Sequence, residues 1–416
     1  MKKLALVLWT IVSLNISPGA IADDHSKPMT KAAAVLDQTI ADGRLNFAVA
    51  SVGNAGGQTW SHAAGYQDAE KTKPASPDNI IQIASMTKLV TTIAALQLME
   101  QGKLDLDTPI SAYAPELNEL QVLKGFVPDD TPILEKANRA PTARELMTHT
   151  AGYVYEIWNA NALKGSQLGI TPSLVSEGNY LAAPLAFQPG TAWEYGINTD
   201  WLGVLVERLS GQRLADYFDE HIFMPLDMSD TFYELPADKF DRSVTVMARG
   251  GEGLVELPNF QPAPAEKGST PHYSGGGGLS STMKDYGRVL QMLLNSGTLD
   301  GKTLLKPETV DTMFQNNIGD IQPVALATVM PTLSNTADMS FGNKATFGLG
   351  LLIHTDGIDG GRQANAGSWA GLFNSYYWVD REAGTYGIFG TQVLPFYDTV
   401  SIQTLLEFEQ AVYLEE

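Results

Sequence analysis

The sequence predicts an α/β fold in which a mixed sheet is assembled from both ends of the chain and a mainly helical lobe is inserted between them. Three observations lead there. Strand-like segments at residues 47–52 and 59–65 precede a strongly apolar helix. Residues 104–269 then carry mostly helical patterns broken by loops rich in proline and glycine. Strand-like segments return only late, at 347–354, 374–379 and 385–391. This order divides the chain into a leader at 1–22, an α/β lobe formed by 23–84 with 275–416, and a helical lobe at 85–274.

The leader reads as a secretory signal. Lys2-Lys3 precede an apolar run from Leu4 to Leu14, and a small-x-small site follows at Ala20-Ile21-Ala22, so cleavage is expected before Asp23 and the location periplasmic or secreted. The run is short for a membrane span, and no other stretch approaches the ~20 apolar residues that membrane insertion needs. Without any cysteine, an exported chain has neither a disulfide framework nor a thiol nucleophile. A hydrophobic content of 44% supports a large core instead. The formal charge of -20, or -22 once Lys2 and Lys3 are removed, repels nucleic acid and anionic membrane surfaces.

After a helical pattern at 29–41, the two early strands form a pair around Gly53-Asn54-Ala55-Gly56-Gly57. Next comes the stretch that organises the rest, Ile81-Gln82-Ile83-Ala84-Ser85-Met86-Thr87-Lys88 running into Leu89-Val90-Thr91-Thr92-Ile93. A helix beginning near Ser85 places Ser85 and Lys88 on one face of its first turn. The residues after Lys88 are apolar on nearly every side, as in a helix buried between two lobes. A serine hydroxyl is a poor nucleophile until a neighbour takes its proton, and lysine can do so only when neutral. Burial and a nearby cation favour the neutral form, and the N–H groups of a helix start suit an oxyanion.

The spacing alone leaves open an N-cap serine beside a snorkelling lysine. The chain contains such a decoy in Ser281-Thr282-Met283-Lys284. There Thr282 with Asp285 reads as a capping box opening an amphipathic helix, which leaves Lys284 facing water.

Four further stretches bear on Ser85. They are Glu145-Leu146-Met147-Thr148-His149-Thr150-Ala151-Gly152; Phe187-Gln188-Pro189-Gly190 through Trp193-Glu194-Tyr195-Gly196-Ile197-Asn198-Thr199-Asp200; Gly275-Gly276-Gly277-Gly278-Leu279-Ser280-Ser281; and Gly367-Ser368-Trp369-Ala370-Gly371-Leu372-Phe373. With Ser85-Met86-Thr87-Lys88 they resemble the serine β-lactamase and penicillin-binding superfamily, most nearly the family VIII carboxylesterases related to class C β-lactamases. The resemblance covers almost the whole chain after the leader. It implies a β-lactamase-like fold, a mixed and largely antiparallel sheet flanked by helices with an inserted all-α lobe.

The same resemblance implies the roles of individual residues. Ser85 is the acylated nucleophile, Lys88 its proton partner and Tyr195 the second general base or acid, with Tyr153 as a rival for that last role. The backbone N–H groups of Ser85 and Leu372 form the oxyanion hole, and Gly371 lets substrate approach the strand closely. Asn198 and Tyr153 join Trp369 and Gly371 as candidate substrate contacts. Two departures matter. Ile197 stands where class C enzymes have an asparagine two positions after the tyrosine, and Asn198 and Asp200 follow instead. Trp369 stands where most β-lactamases carry the lysine that binds a substrate carboxylate. An indole offers an apolar wall and one N–H donor, better suited to a neutral ester. Tyr153, Tyr155, Trp158, Phe373 and Tyr376 are candidates for the rest of an apolar pocket.

Other chemistries do not assemble. There is no Gly-x-Ser-x-Gly elbow, no metal-ligand spacing among the six histidines, and no nucleotide-binding pattern in Gly275 to Gly278, so no metal and no cofactor are implied. The expected activity is hydrolysis of small carboxylic esters of short acyl chain through an acyl-enzyme on Ser85. A β-lactamase or D-amino-acid peptidase using the same residues, and a non-catalytic penicillin-binding-like recognition protein, are the alternatives.

Overall fold

The computed structural model describes residues 29–174, 179–251 and 253–415. The expected signal peptide at 1–22 lies outside them. Seven strands form the main sheet: β1 (Phe47–Asn54), β2 (Gly57–Gly65), β3 (Ala345–Phe347), β4 (Leu352–His354), β5 (Ala366–Gly371), β6 (Ser375–Asp380) and β7 (Thr385–Gly390). Their order is β3-β4-β5-β6-β7-β1-β2, with every neighbouring pair antiparallel. The β1–β7 ladder, Val49 opposite Gly390 through Asn54 opposite Thr385, is where the two ends of the chain meet.

Residues 47–53 are all buried, so both faces of β1 are covered. Helices α1 (Thr30–Ala41) and α6 (Thr399–Glu415) pack together, and Phe408 of α6 lies against Phe389 of β7. On the opposite face, α5 (Met283–Leu294) brings Met283 toward Gly390 and Tyr286 onto Tyr377. Gly387 is a forced choice, since a Cβ there would fall 2.1 Å from the Trp378 ring. Thr282 caps α5 by accepting the Asp285 N–H, but the Asp285 carboxylate accepts from Asp230 and Thr231 and does not close the expected capping box; Ser281 is buried and Lys284 is exposed, as expected for the decoy.

The segment read as one strand at 347–354 differs from expectation. It is a hairpin of β3 and β4 reversing through Gly348-Leu349-Gly350-Leu351, where Gly350 adopts a φ of 76° that favours glycine. Continuous apolar character could not distinguish one buried strand from two short ones.

Helix α2 (Thr87–Glu100) follows a helical turn at Ala84–Met86 and is buried at every residue from 87 to 96. It packs on α4 (Asn198–Ser210), while the Tyr286 hydroxyl of α5 donates to the Met86 carbonyl at 3.0 Å. One continuous core therefore runs from the sheet through α2 into the inserted segment. That segment is mainly helical and also holds two short hairpins, Gln121–Phe126 with Pro132–Lys136 and Met247–Gly250 with Gly253–Glu256. Among the described residues, no helix is long and apolar enough to cross a membrane.

Candidate active site

Ser85 and Lys88 lie at the junction of α2, α4 and the end of β5. One turn of helix separates them, and Lys88 Nζ stands 3.2 Å from Ser85 Oγ. The Lys88 side chain is buried. Its Nζ also donates to the Tyr155 hydroxyl at 3.0 Å and to the Gly276 carbonyl at 2.6 Å. Nζ thus faces three oxygens, one of them Ser85 Oγ.

A capping box builds the next part. Thr142 accepts the Glu145 N–H, Glu145 accepts the Thr142 N–H, and the short helix α3 (Ala143–Thr148) ends on His149 in the left-handed conformation at φ 59°. His149 is buried, and burial first, then the Lys88 charge, push its imidazole well below the ordinary value, so it is neutral. It stacks on Trp369 at 6.2 Å between centroids and meets Tyr195 edge-on at 4.7 Å.

The chain beyond His149 separates the tyrosines. Tyr153 is buried in the core, stacked on Trp201, and does not reach the Ser85 recess. Neither the substrate-contact role nor the rival acid/base role expected for it fits that position. Tyr155, two residues on, is the one whose hydroxyl meets Lys88. Burial first and the Asp200 charge second push its phenol well above the ordinary value.

Tyr195 lines the recess, but Lys88 Nζ lies 4.8 Å from its ring centroid and its hydroxyl accepts the Trp369 indole N–H at 3.4 Å. Asn198 is likewise corrected. It is fully buried at the start of α4, and its amide donates to His149 Nδ1 at 2.9 Å and to the Tyr153 carbonyl at 3.0 Å. Those bonds make it a brace behind the site, not a substrate contact.

The recess at Ser85 is lined by Trp158, Tyr195, Trp369, Phe396, Leu326 and Met339, with Ala370, Gly371 and Leu372 along the strand end. None of these side chains is charged. Gly371 ends β5, and a Cβ there would fall 2.3 Å from the Ile83 carbonyl, so glycine is what allows the strand to lie against the turn that carries Ser85. Leu372 follows it at the rim, and Ser85 is the second residue of a short helical turn, a position whose N–H comes ahead of the Met86 N–H to Ile83 carbonyl bond that closes the turn. Trp158 joins the lining as expected. Phe373 packs on Phe260, and Tyr376 stacks behind Phe396; neither lines the recess. A second recess between Leu123, Val154 and Leu185 holds none of Ser85, Lys88 and Tyr195.

A serine hydroxyl held by a buried lysine, beside two tyrosines and an uncharged recess, defines the serine-lysine class of site. The Beta-lactamase family profile matches residues 32–407, and the chain belongs to that family. It is 33% identical over 353 residues to the acyltransferase calJ of Penicillium decumbens, with 82% of each chain covered. It is 32% identical to the lovastatin esterase of Penicillium rubens, with 85% of this chain and 90% of the other covered. Among solved structures, a mutant simvastatin synthase (LovD) from Aspergillus terreus superposes with a TM-score of 0.77 at 28% identity, covering 92% of this chain and 94% of that one. EstCE1, a hydrolase with promiscuous acyltransferase activity, shares the fold at a TM-score of 0.72 and 22% identity, covering 92% and 97%.

Proposed function

We propose that this protein is a serine carboxylic-ester hydrolase that works through an acyl-enzyme on Ser85. Lys88 takes the Ser85 proton as Oγ attacks the ester carbonyl, and the backbone N–H groups of Ser85 and Leu372 receive the oxyanion. Tyr195, lining the same recess, hands its phenol proton to the departing alcohol and is restored by the proton Lys88 took from Ser85; water then attacks the acyl carbonyl, the transfers run in reverse, and the acid is released. The observation that supports this most is the uncharged, aromatic lining around Ser85, with Trp369 as its wall. A neutral ester enters such a recess without leaving a charge unpaired, whereas an anionic antibiotic gives up carboxylate solvation for no cation.

The names of the relatives favour a second reading in which an alcohol, not water, accepts the acyl group. Both readings share the acyl-enzyme. The test is a panel of p-nitrophenyl esters beside nitrocefin, with and without added butanol, together with labelling by an active-site phosphonate. Ester turnover with weak nitrocefin cleavage supports the hydrolase, and butyl-ester formation supports transfer. Export is part of the proposal and rests on Lys2-Lys3 and the apolar run after them; N-terminal sequencing of the mature protein should begin at Asp23.

A further inference from the structure

A negative charge sits directly behind the site. Asp200, in the first turn of α4, is buried, and its Oδ1 accepts the Tyr180 hydroxyl at 2.9 Å, the Gly276 N–H at 3.1 Å and the Ser274 hydroxyl. Three donors on one oxygen are the surroundings of an ionised carboxylate, which only accepts. Its Oδ2 closes over the bare Cα of Gly276. A Cβ there would lie 2.3 Å from Oδ2 and 3.0 Å from the Tyr155 hydroxyl, so carboxylate and phenol converge on the same point. Tyr155 and the Gly276 carbonyl are also the two groups that share Lys88 with Ser85.

We propose that Asp200 is a positioning residue for the acyl-transfer site, acting on Lys88 through Tyr155 and Gly276. By taking the Tyr155 O–H on Oδ2 and the Gly276 N–H on Oδ1, it turns the phenol oxygen and the Gly276 carbonyl toward Lys88 Nζ. Its charge also balances the ammonium that forms when Lys88 takes the Ser85 proton. In that step the Ser85 O–H bond breaks to a neutral Lys88 amine while the Oγ–carbon bond forms. The proton later reaches the leaving oxygen by way of Tyr195, and Tyr155 and Asp200 neither gain nor lose one. The titratable groups facing Asp200 are Tyr155, Tyr180 and Tyr233, with Lys88 beyond Tyr155 and His272 beyond Tyr180.

The inference rests on the acyl-enzyme reading, and Asp200→Asn tests it separately. The amide keeps an acceptor for Tyr180, Ser274 and Gly276 but presents N–H to Tyr155 and carries no charge. Expected are a kcat lower by about tenfold to hundredfold with KM within about threefold, and equally slowed phosphonate labelling of Ser85. The acid limb of the kcat/KM profile should move to lower pH, because withdrawing a buried negative charge favours loss of the proton at the site. In a Tyr155→Phe background the same change should add little. A folded Asp200→Asn with wild-type kcat and an unmoved acid limb, while wild-type Ser85 still labels, would overturn this inference alone. Failure of wild-type Ser85 to label would overturn the reading beneath it. Should Asp200→Asn not fold, Tyr155→Phe leaves the three other donors in place and must itself lower kcat by about tenfold or more; wild-type kcat there would equally overturn the inference.

Discussion

The Tyr155 hydroxyl stands 3.0 Å from Lys88 Nζ, whereas Tyr195 turns its ring face toward the same nitrogen. A phenol oxygen can hold the lysine in register for Ser85; a ring face only attracts its charge. The two tyrosines should therefore fail differently. Tyr155→Phe should slow acylation by p-nitrophenyl and ethyl esters alike, since it acts on the Ser85 proton. Tyr195→Phe should cost about 10² to 10⁴ in kcat for ethyl esters and far less for p-nitrophenyl esters, whose leaving group needs no proton. Equal losses of Tyr195→Phe on both esters would remove it from the leaving-group step.

Lys88→Ala should cost about 10² to 10⁴ in kcat, and its combination with Tyr195→Phe should be little worse than the poorer single variant, because groups acting as one proton-transfer unit are not additive. Steady-state rates of the two singles and the double decide this. Multiplied losses would mean that lysine and tyrosine act in separate steps.

Ser85→Ala should abolish ester turnover and phosphonate labelling, while Ser281→Ala should leave both near wild type. Ser281 is buried 2.7 Å from the Thr231 hydroxyl, and its neighbour Lys284 points to solvent, so no lysine stands at Ser281 to take its proton. Its loss should appear instead as about 1 kcal/mol of unfolding free energy, the scale of one buried hydrogen bond. Mass spectrometry of the labelled peptide gives the answer directly.

Much of this site was legible because its chemistry is local in sequence. Ser85 and Lys88 are one helical turn apart, and a buried helix fixes their contact whatever surrounds it. Trp369 was legible as a wall from the strand motif around it. What the sequence hid depends on the path of irregular chain. Tyr153 and Tyr155 are two residues apart, but the chain between them is not a strand, and only the tertiary path turns Tyr153 onto Trp201 and Tyr155 onto Lys88. Asn198 looked available beside Tyr195 until His149 claimed its amide. Asp200, noted only as a departure from the class C pattern, gains meaning from Gly276, 76 positions away. The hairpin at 347–354 was missed because both of its strands are wholly buried and show no alternation.

Stability should show an acid transition at Asp230. Hydrogen bonds from Arg242 first, then from Lys239, outweigh its burial and hold its carboxyl at about 2, below the ordinary 3.8. A depressed carboxyl stabilises the fold fully above the unfolded value near 3.8, and that contribution is lost as pH falls through 2. Asp230→Asn should therefore cost about 2 kcal/mol at pH 7 and little at pH 2. Asp285, whose Oδ2 accepts the Asp230 N–H at 2.6 Å, is pushed up to about 6 by burial and titrates above this window. Urea unfolding of wild type and variant at several pH values isolates the Asp230 difference; a gap that stays constant down to pH 2 would rule it out.

Trp369 decides between ester and antibiotic. The indole is buried between His149, stacked at 6.2 Å, and Phe347, edge-on at 5.4 Å, and its N–H reaches Tyr195. Wild type should accordingly cleave p-nitrophenyl butyrate well and nitrocefin slowly, since the antibiotic carboxylate would find an aromatic wall in a chain of net charge -20. Trp369→Lys should weaken ester hydrolysis by removing that wall and the donor to Tyr195. A new ammonium could pair with the carboxylate, a charged hydrogen bond of about 1.5 to 3 kcal/mol, which corresponds to roughly tenfold to a hundredfold in kcat/KM. The structure argues for the lower end, because the cation would replace a stacked ring beside neutral His149 with Lys88 nearby. The measurement is the ratio of kcat/KM for p-nitrophenyl butyrate to that for nitrocefin, in wild type and variant at low salt. A wild type that favours nitrocefin would overturn the esterase reading, and an unchanged ratio in the variant would place Trp369 outside the substrate's path.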